Sequence, residues 1–132
     1  MKKLVVIDKT SQTLSKIYFI ADVKKYQVIT LDNFSQVNAT LNAEMPDILM
    51  VNCDLYKGDF SYFVADVKKS HPTLHIIGCS WSSTGALQRN KGKPPAVDAF
   101  IKMPMDVRKM SLALEAIEYN YALFPAEMLS HG

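Results

Sequence analysis

Short apolar runs alternate with amphipathic stretches along the whole chain, the pattern of a parallel sheet covered on both faces by helices. Residues 4–7, 48–51 and 74–79 are nearly continuous in apolar character, as strands buried on both faces are. Residues 99–103 are a weaker fourth example, and residues 26–31 alternate polar with apolar, which suits an edge strand. Between these runs, residues 11–25, 33–44, 59–71 and 105–124 carry helical spacing of apolar side chains. In the last of them Val107, Met110, Leu114, Ile117, Tyr121 and Phe124 fall on one stripe. Thr10 or Ser11, Asn33 and Asp59 stand where N-caps belong. Residues 83–90 read as a shorter helix, because Lys91-Gly92-Lys93-Pro94-Pro95 cannot continue one.

The 132 residues fit one domain, expected over 1–124 with a tail at 125–132. Apolar residues make up 48% and charged residues 21%, which excludes a disordered or collagen-like chain. Fifteen basic against thirteen acidic residues give a net charge of +2, too small to argue for a nucleic-acid partner. No run is long enough to cross a bilayer, and the N-terminal apolar stretch stops at Asp8, too short for a signal peptide. A cytoplasmic protein is expected. Cys53 and Cys79 lack metal-ligand spacing and read as reduced, packed thiols; a redox pair across neighbouring strands is the alternative.

Five β/α pairs with right-handed crossovers leave few topologies, and the leading one is the flavodoxin-like three-layer α/β sandwich with strand order 2-1-3-4-5. Ligands of such sheets sit at the carboxyl ends of the strands, which directs attention to residues 8–12, 52–54, 80–82 and 102–104.

Over roughly residues 2–118 the chain resembles a response-regulator receiver domain, the phosphoacceptor module of two-component signalling. The resemblance is carried by Leu-Val-Val-Ile-Asp at 4–8, Pro-Asp-Ile-Leu-Met-Val-Asn at 46–52, Ile-Ile-Gly-Cys-Ser at 76–80 and Phe-Ile-Lys-Met-Pro at 100–104. It implies an acidic pair at the end of strand one, which falls on Ile7 and Asp8, so that one carboxylate is missing. The phosphoacceptor falls on Asn52, six residues after Pro46, and the hydroxyl position on Ser80, which is retained. The family's Lys before Pro falls on Met103, with Pro104 retained, and its aromatic switch position falls on Phe100.

These departures have chemical consequences of their own. An aspartyl phosphate needs a carboxylate nucleophile, and the Asn52 amide is not one. Mg²⁺ needs clustered oxygen ligands, and here Asp8 offers at most a weak site. The ammonium is replaced by the Met103 thioether, while Lys102 alternates to the other face of its strand. Acids and base are lost together, leaving no large uncompensated charge. Trp81 follows Ser80, where its bulk either closes the pocket, as a packed lid does, or offers a rigid contact at the rim.

Two other readings use the same residues. A register shift of two makes Asp54 the acceptor; in the preferred register Asp54 is a loop residue whose backbone carbonyl faces the site. A flavodoxin-like flavin site would use the hydroxyls of Lys9-Thr10-Ser11-Gln12-Thr13, which lack a glycine for close phosphate approach. His71 and His131 are expected to be exposed and His75 to start a strand, none with an acid or Cys partner that suggests catalysis. The sequence thus reads as a phosphorylation-independent, non-enzymatic signalling module without cofactor, acting through a protein partner or a second copy. The receiver resemblance places its contact face on the helix 83–90, the strand with Phe100 and Lys102, and the last helix. Leu112, Tyr119 and Leu123 of that helix lie off its core stripe and await a partner, a dimer or the tail.

Overall fold

Successive side chains of a strand point to opposite sides, and in a sheet covered on both faces this divides the apolar residues between two cores. The computed structural model describes residues 1–82 and 97–120. Strands β1 (Lys2–Ile7), β2 (Tyr26–Leu31), β3 (Ile48–Asn52), β4 (His75–Ser80) and β5 (Ala99–Lys102) form a parallel sheet in the order β2-β1-β3-β4-β5. Leu4, Val6, Met50, Ile77 and Ile101 pack beneath α1 (Ser11–Lys24) and α4 (Val107–Glu118). Val5, Ile7, Leu49, Val51, Ile76 and Phe100 pack beneath α2 (Val37–Glu44) and α3 (Phe60–Ser70). The expected three-layer fold and strand order are therefore those observed, with β2 at the edge.

Element boundaries moved where local hydrogen bonding overrode periodicity. The helix expected from residue 33 begins only at Val37, because the Asn33 side chain accepts from the Ser35 backbone N–H and hydroxyl and holds a turn instead. Thr10 occupies the α1 N-cap position but makes no side-chain cap bond, whereas Asp59 caps α3 by accepting from Ser61 N–H. The helix expected over 105–124 runs from Val107, capped by Asp106, to Glu118, and Asn120 follows in the left-handed region at φ 58°. The expected helix 83–90, the loop 91–95, Tyr121, Leu123, Phe124, the tail 125–132 and His131 lie outside the described residues. Among the described residues no helix is long and apolar enough to cross a membrane.

At the amino end of the sheet one histidine lies near an acid, without a catalytic arrangement. His75 Nδ1 lies 3.9 Å from Asp98 Oδ2, a residue brought there by β4–β5 pairing. That oxygen already accepts from Ile76 N–H and the Lys68 ammonium, each at 2.7 Å, so Asp98 serves as a staple between strands and helix α3. His75 also lines a cleft of about 570 Å³ at this end, with Lys2, Tyr26, Asp47, His71 and Glu118. Burial, then Glu118 and Asp47, push the Tyr26 hydroxyl pKa up.

The two cysteines belong to different cores, Cys79 to that beneath α1 and α4 and Cys53 to that beneath α2 and α3, and both are free thiols. Burial pushes Cys53 up to about 12 and Cys79 well above the ordinary thiol value. The thiolate is the reactive form, so at about pH 8 both thiols are expected to alkylate at least about a hundredfold more slowly in native protein than in denaturant. Folded protein also retains protons that the unfolded chain releases above pH 9.0. Unfolding free energy is therefore expected to fall as pH rises beyond that point, which urea titrations on either side of it would check; a flat or rising profile counts against the burial argument.

Candidate functional site at the carboxyl end of the sheet

Parallel pairing brings the carboxyl ends of four strands into line. Ile7 pairs with Val51, Asn52 with Cys79, and Ser80 with Lys102, so Asp8, Asn52, Ser80 and Met103 become neighbours although they are spread over 95 residues. The Met103 N–H donates to Ser80 carbonyl at 2.8 Å, extending the β4–β5 ladder to that residue.

Asp8 is 4% exposed and its Oδ1 accepts three N–H groups: those of Lys9 at 2.7 Å, Thr10 at 3.1 Å and the Asn52 side-chain amide at 3.4 Å. The first two shape the turn into α1, where the Thr10 hydroxyl makes no cap bond. Asn52, 7% exposed, uses its amide in both directions: Nδ2 donates to Asp8, and Oδ1 accepts from Asp54 N–H at 3.0 Å. An ionised carboxylate cannot do both. A carboxylate in the same place would face Asp8 with a like charge.

Ser80 is buried, donates from Oγ to Asp54 Oδ1 at 2.6 Å, and accepts from Ser82 N–H at 3.0 Å. The other oxygen of Asp54 accepts from Trp81 N–H at 3.0 Å. Asp54, expected as a loop residue with its carbonyl toward the site, thus brings its carboxylate to the end of β4. It stands on a one-turn 3₁₀ helix, Cys53–Leu55, whose tight winding aims its carboxylate across at the end of β4. The short Cys-Asp-Leu turn carries no periodicity from which that direction is legible. Trp81 is 62% exposed and does not close the site, so the lid expectation is corrected. It is the first residue beyond β4.

The remaining positions named from sequence are packing residues here. Ile7 and Phe100 are buried in the core beneath α2 and α3, and Met103 in the core beneath α1 and α4. The Met103–Pro104 peptide is cis. Lys102 is exposed. Two lysines that the sequence reading passed over brace the loop after β5: Lys16 Nζ donates to Met105 carbonyl, and Lys109 Nζ to the carbonyls of Lys102 and Pro104. Of the hydroxyls named for a flavin phosphate, that of Thr13 belongs to a buried residue of α1, while Thr10 and Ser11 are exposed.

A hard dication such as Mg²⁺ would meet the carboxylates of Asp8 and Asp54 at this end of the sheet. Oδ1 of Asp8 faces the N–H groups of Lys9, Thr10 and Asn52, and both oxygens of Asp54 accept hydrogen bonds. Among the described residues no group of three His, Cys, Asp or Glu side chains is arranged to hold a metal ion.

No family model matches the sequence, and no curated protein does. Solved structures do match. The isolated REC domain of RcsB from Salmonella enterica serovar Typhimurium aligns over 98% of this chain and 96% of its own, with a TM-score of 0.75 at 13% identity. The chemotaxis response regulator CheY4 of Vibrio cholerae aligns over 89% and 98%, with a TM-score of 0.72 at 14% identity. HP1043, an orphan response regulator of H. pylori, aligns over 88% and 95%, with a TM-score of 0.69 at 16% identity. The sheet order, the helical layers and these alignments agree that the chain has the fold of response-regulator receiver domains.

Proposed function

We propose that this chain is a phosphorylation-independent receiver-like signalling module that acts by protein–protein contact, with neither catalytic activity nor a cofactor. The observation that carries the reading is the Asn52 amide, at the place where the receiver resemblance puts the acceptor, engaged as donor to Asp8 and acceptor from Asp54. A neutral amide is not a phosphoryl acceptor, and the network it completes turns three N–H groups of the protein onto Oδ1 of the buried Asp8 carboxylate. Ile7 and Met103 support the same reading, because apolar packing stands where the resemblance implies an acid and a base. With a net charge of +2 and no long apolar helix among the described residues, neither nucleic acid nor membrane is the proposed partner. A cytoplasmic signalling protein, or a second copy of the chain, is. Exposed Lys102 and Tyr119 and half-buried Leu112 belong to the proposed contact face; Leu123 and residues 83–90 complete it in sequence.

One observation favours a second reading, with Asp54 as the acceptor: its carboxylate is on an exposed residue and lies against Ser80 Oγ. Intact-mass analysis after incubation with acetyl phosphate and Mg²⁺ separates the two. No phosphoryl adduct is expected, and an adduct that vanishes in Asp54→Asn would replace the first reading by the second. Asn52→Asp alone is expected to remain unlabelled, because Ile7 and Met103 still supply neither acid nor ammonium; rapid labelling of that variant would show their importance overstated. The same substitution removes a donor from Asp8 and sets a like charge beside it, so urea denaturation is expected to show a loss of about 1–3 kcal/mol.

A further inference from the structure

The apolar stripe of α4 outlasts the helix. Ile117 shares its spacing with Tyr121 and Phe124, yet α4 stops at Glu118 and Asn120 takes the left-handed region. Ile117 and Glu118, in the last turn of α4, also form one wall of the cleft of about 570 Å³ at the amino end of the sheet. Its floor is made by the starts of four neighbouring strands: Tyr26 of β2, Lys2 of β1, Ile48 of β3 and His75 of β4. The opposite wall belongs to the ends of α2 and α3, where Met45 is 71% exposed beside half-buried Pro46 and His71. The cleft therefore opens where the described part of the chain ends, and it leads from the α4 layer to the layer of α2 and α3.

The residues that follow can reach across it. From β2 to β4 the cleft runs three strand spacings, about 14 Å. Residues 121–129 span about 30 Å when extended, enough to cross obliquely from one helix layer to the other. Pro125 biases Phe124 toward the extended conformation that such a crossing needs. The lining suits an extended segment: Ile117, Pro46 and Met45 offer apolar surface, while Lys2, Ser70 and Thr73 offer polar side chains to a backbone without helix partners. We propose that residues 121–129 fold back across the amino end of the sheet and fill this cleft, with Phe124 inserted against Ile117 and Pro46 and Met128 reaching Met45. Leu123, alternating to the other side of an extended segment, stays outward with the contact face. The chain's own segment is the occupant because it is tethered two residues from the wall, at an effective concentration of about millimolar that a free partner does not match. Asn52 and Asp54 lie at the opposite end of the sheet, so the phosphorylation reading stands or falls separately.

A paramagnetic label on the segment reads where it binds. In the full chain carrying a nitroxide on Ser130→Cys, with Cys53 and Cys79 buried, the amide signals of Met45, Asp47, Thr73 and His75 are expected to lose most of their intensity. Those of Asp54 and Lys102, at the other end, are expected to keep theirs. Adding Phe124→Ser is expected to restore the lost signals, and adding Leu123→Ser to leave them broadened. Should Phe124→Ser fold poorly, Met45→Asp serves on the receiving side, since that residue is exposed. A nitroxide-free, isotopically labelled chain mixed with the spin-labelled one is expected to show no broadening, because the segment seats in its own molecule. Broadening in that mixture would assign the cleft to a second copy and overturn the proposal. So would broadening confined to Phe19 and Val23, the exposed apolar residues of α1, or weak broadening spread evenly over the surface. Broadening that survives both Phe124→Ser and Met45→Asp would overturn it as well.

Discussion

Parallel strands buried on both faces must exchange all their backbone hydrogen bonds with one another, and the rest of this structure depends on the register those bonds impose. Because Ile7 lies against Val51 and Asn52 against Cys79, strand ends far apart in sequence finish at one edge of the sheet. A slip of one residue would turn every core side chain to the other face, and the two cores beneath the helix pairs forbid it. The meeting of Asp8, Asn52, Asp54 and Ser80 is therefore a consequence of core packing.

At that edge the chemistry is one of mutual satisfaction. Asp8 is buried and accepts protein N–H groups; Asn52 links it to Asp54; Asp54 links onward to Ser80 and Trp81. Buried polar groups arranged in this way fix a geometry, because each unmade bond would leave a desolvated group without a partner. Among the described residues no buried side-chain nitrogen or oxygen lacks one. The bonds to Asp8 Oδ1 hold the turn into α1, and those to Asp54 and Ser80 hold the exit from β4. Function by contact, proposed here, asks for that kind of rigidity.

Most of the fold was legible in the residues. Continuous apolar runs marked the central strands, alternation marked the β2 edge, and Asp59 marked the start of α3, because each is a local pattern with a local cause. The missed boundaries were local too, but decided by competing bonds: the Asn33 turn delayed α2, and the left-handed Asn120 ended α4 before its apolar stripe ran out. In the site, the identities at 7, 8, 52, 80 and 103 were readable, since each ends a strand whose position the pattern sets. The direction of the Asp54 carboxylate and the exposure of Trp81 were not.

The sequence by itself determined the layered α/β architecture, the strand order and the presence of a neutral amide at position 52, because periodicity and residue chemistry are properties of the chain. Tertiary structure alone decided that Asp54 reaches Ser80 and Trp81, that Asp98 meets His75, and that the two cysteines enter separate cores. Each of those facts depends on a distance between residues more than twenty positions apart, or on the face to which a side chain turns. Such distances exist only once the strands have paired and the helices have closed over them.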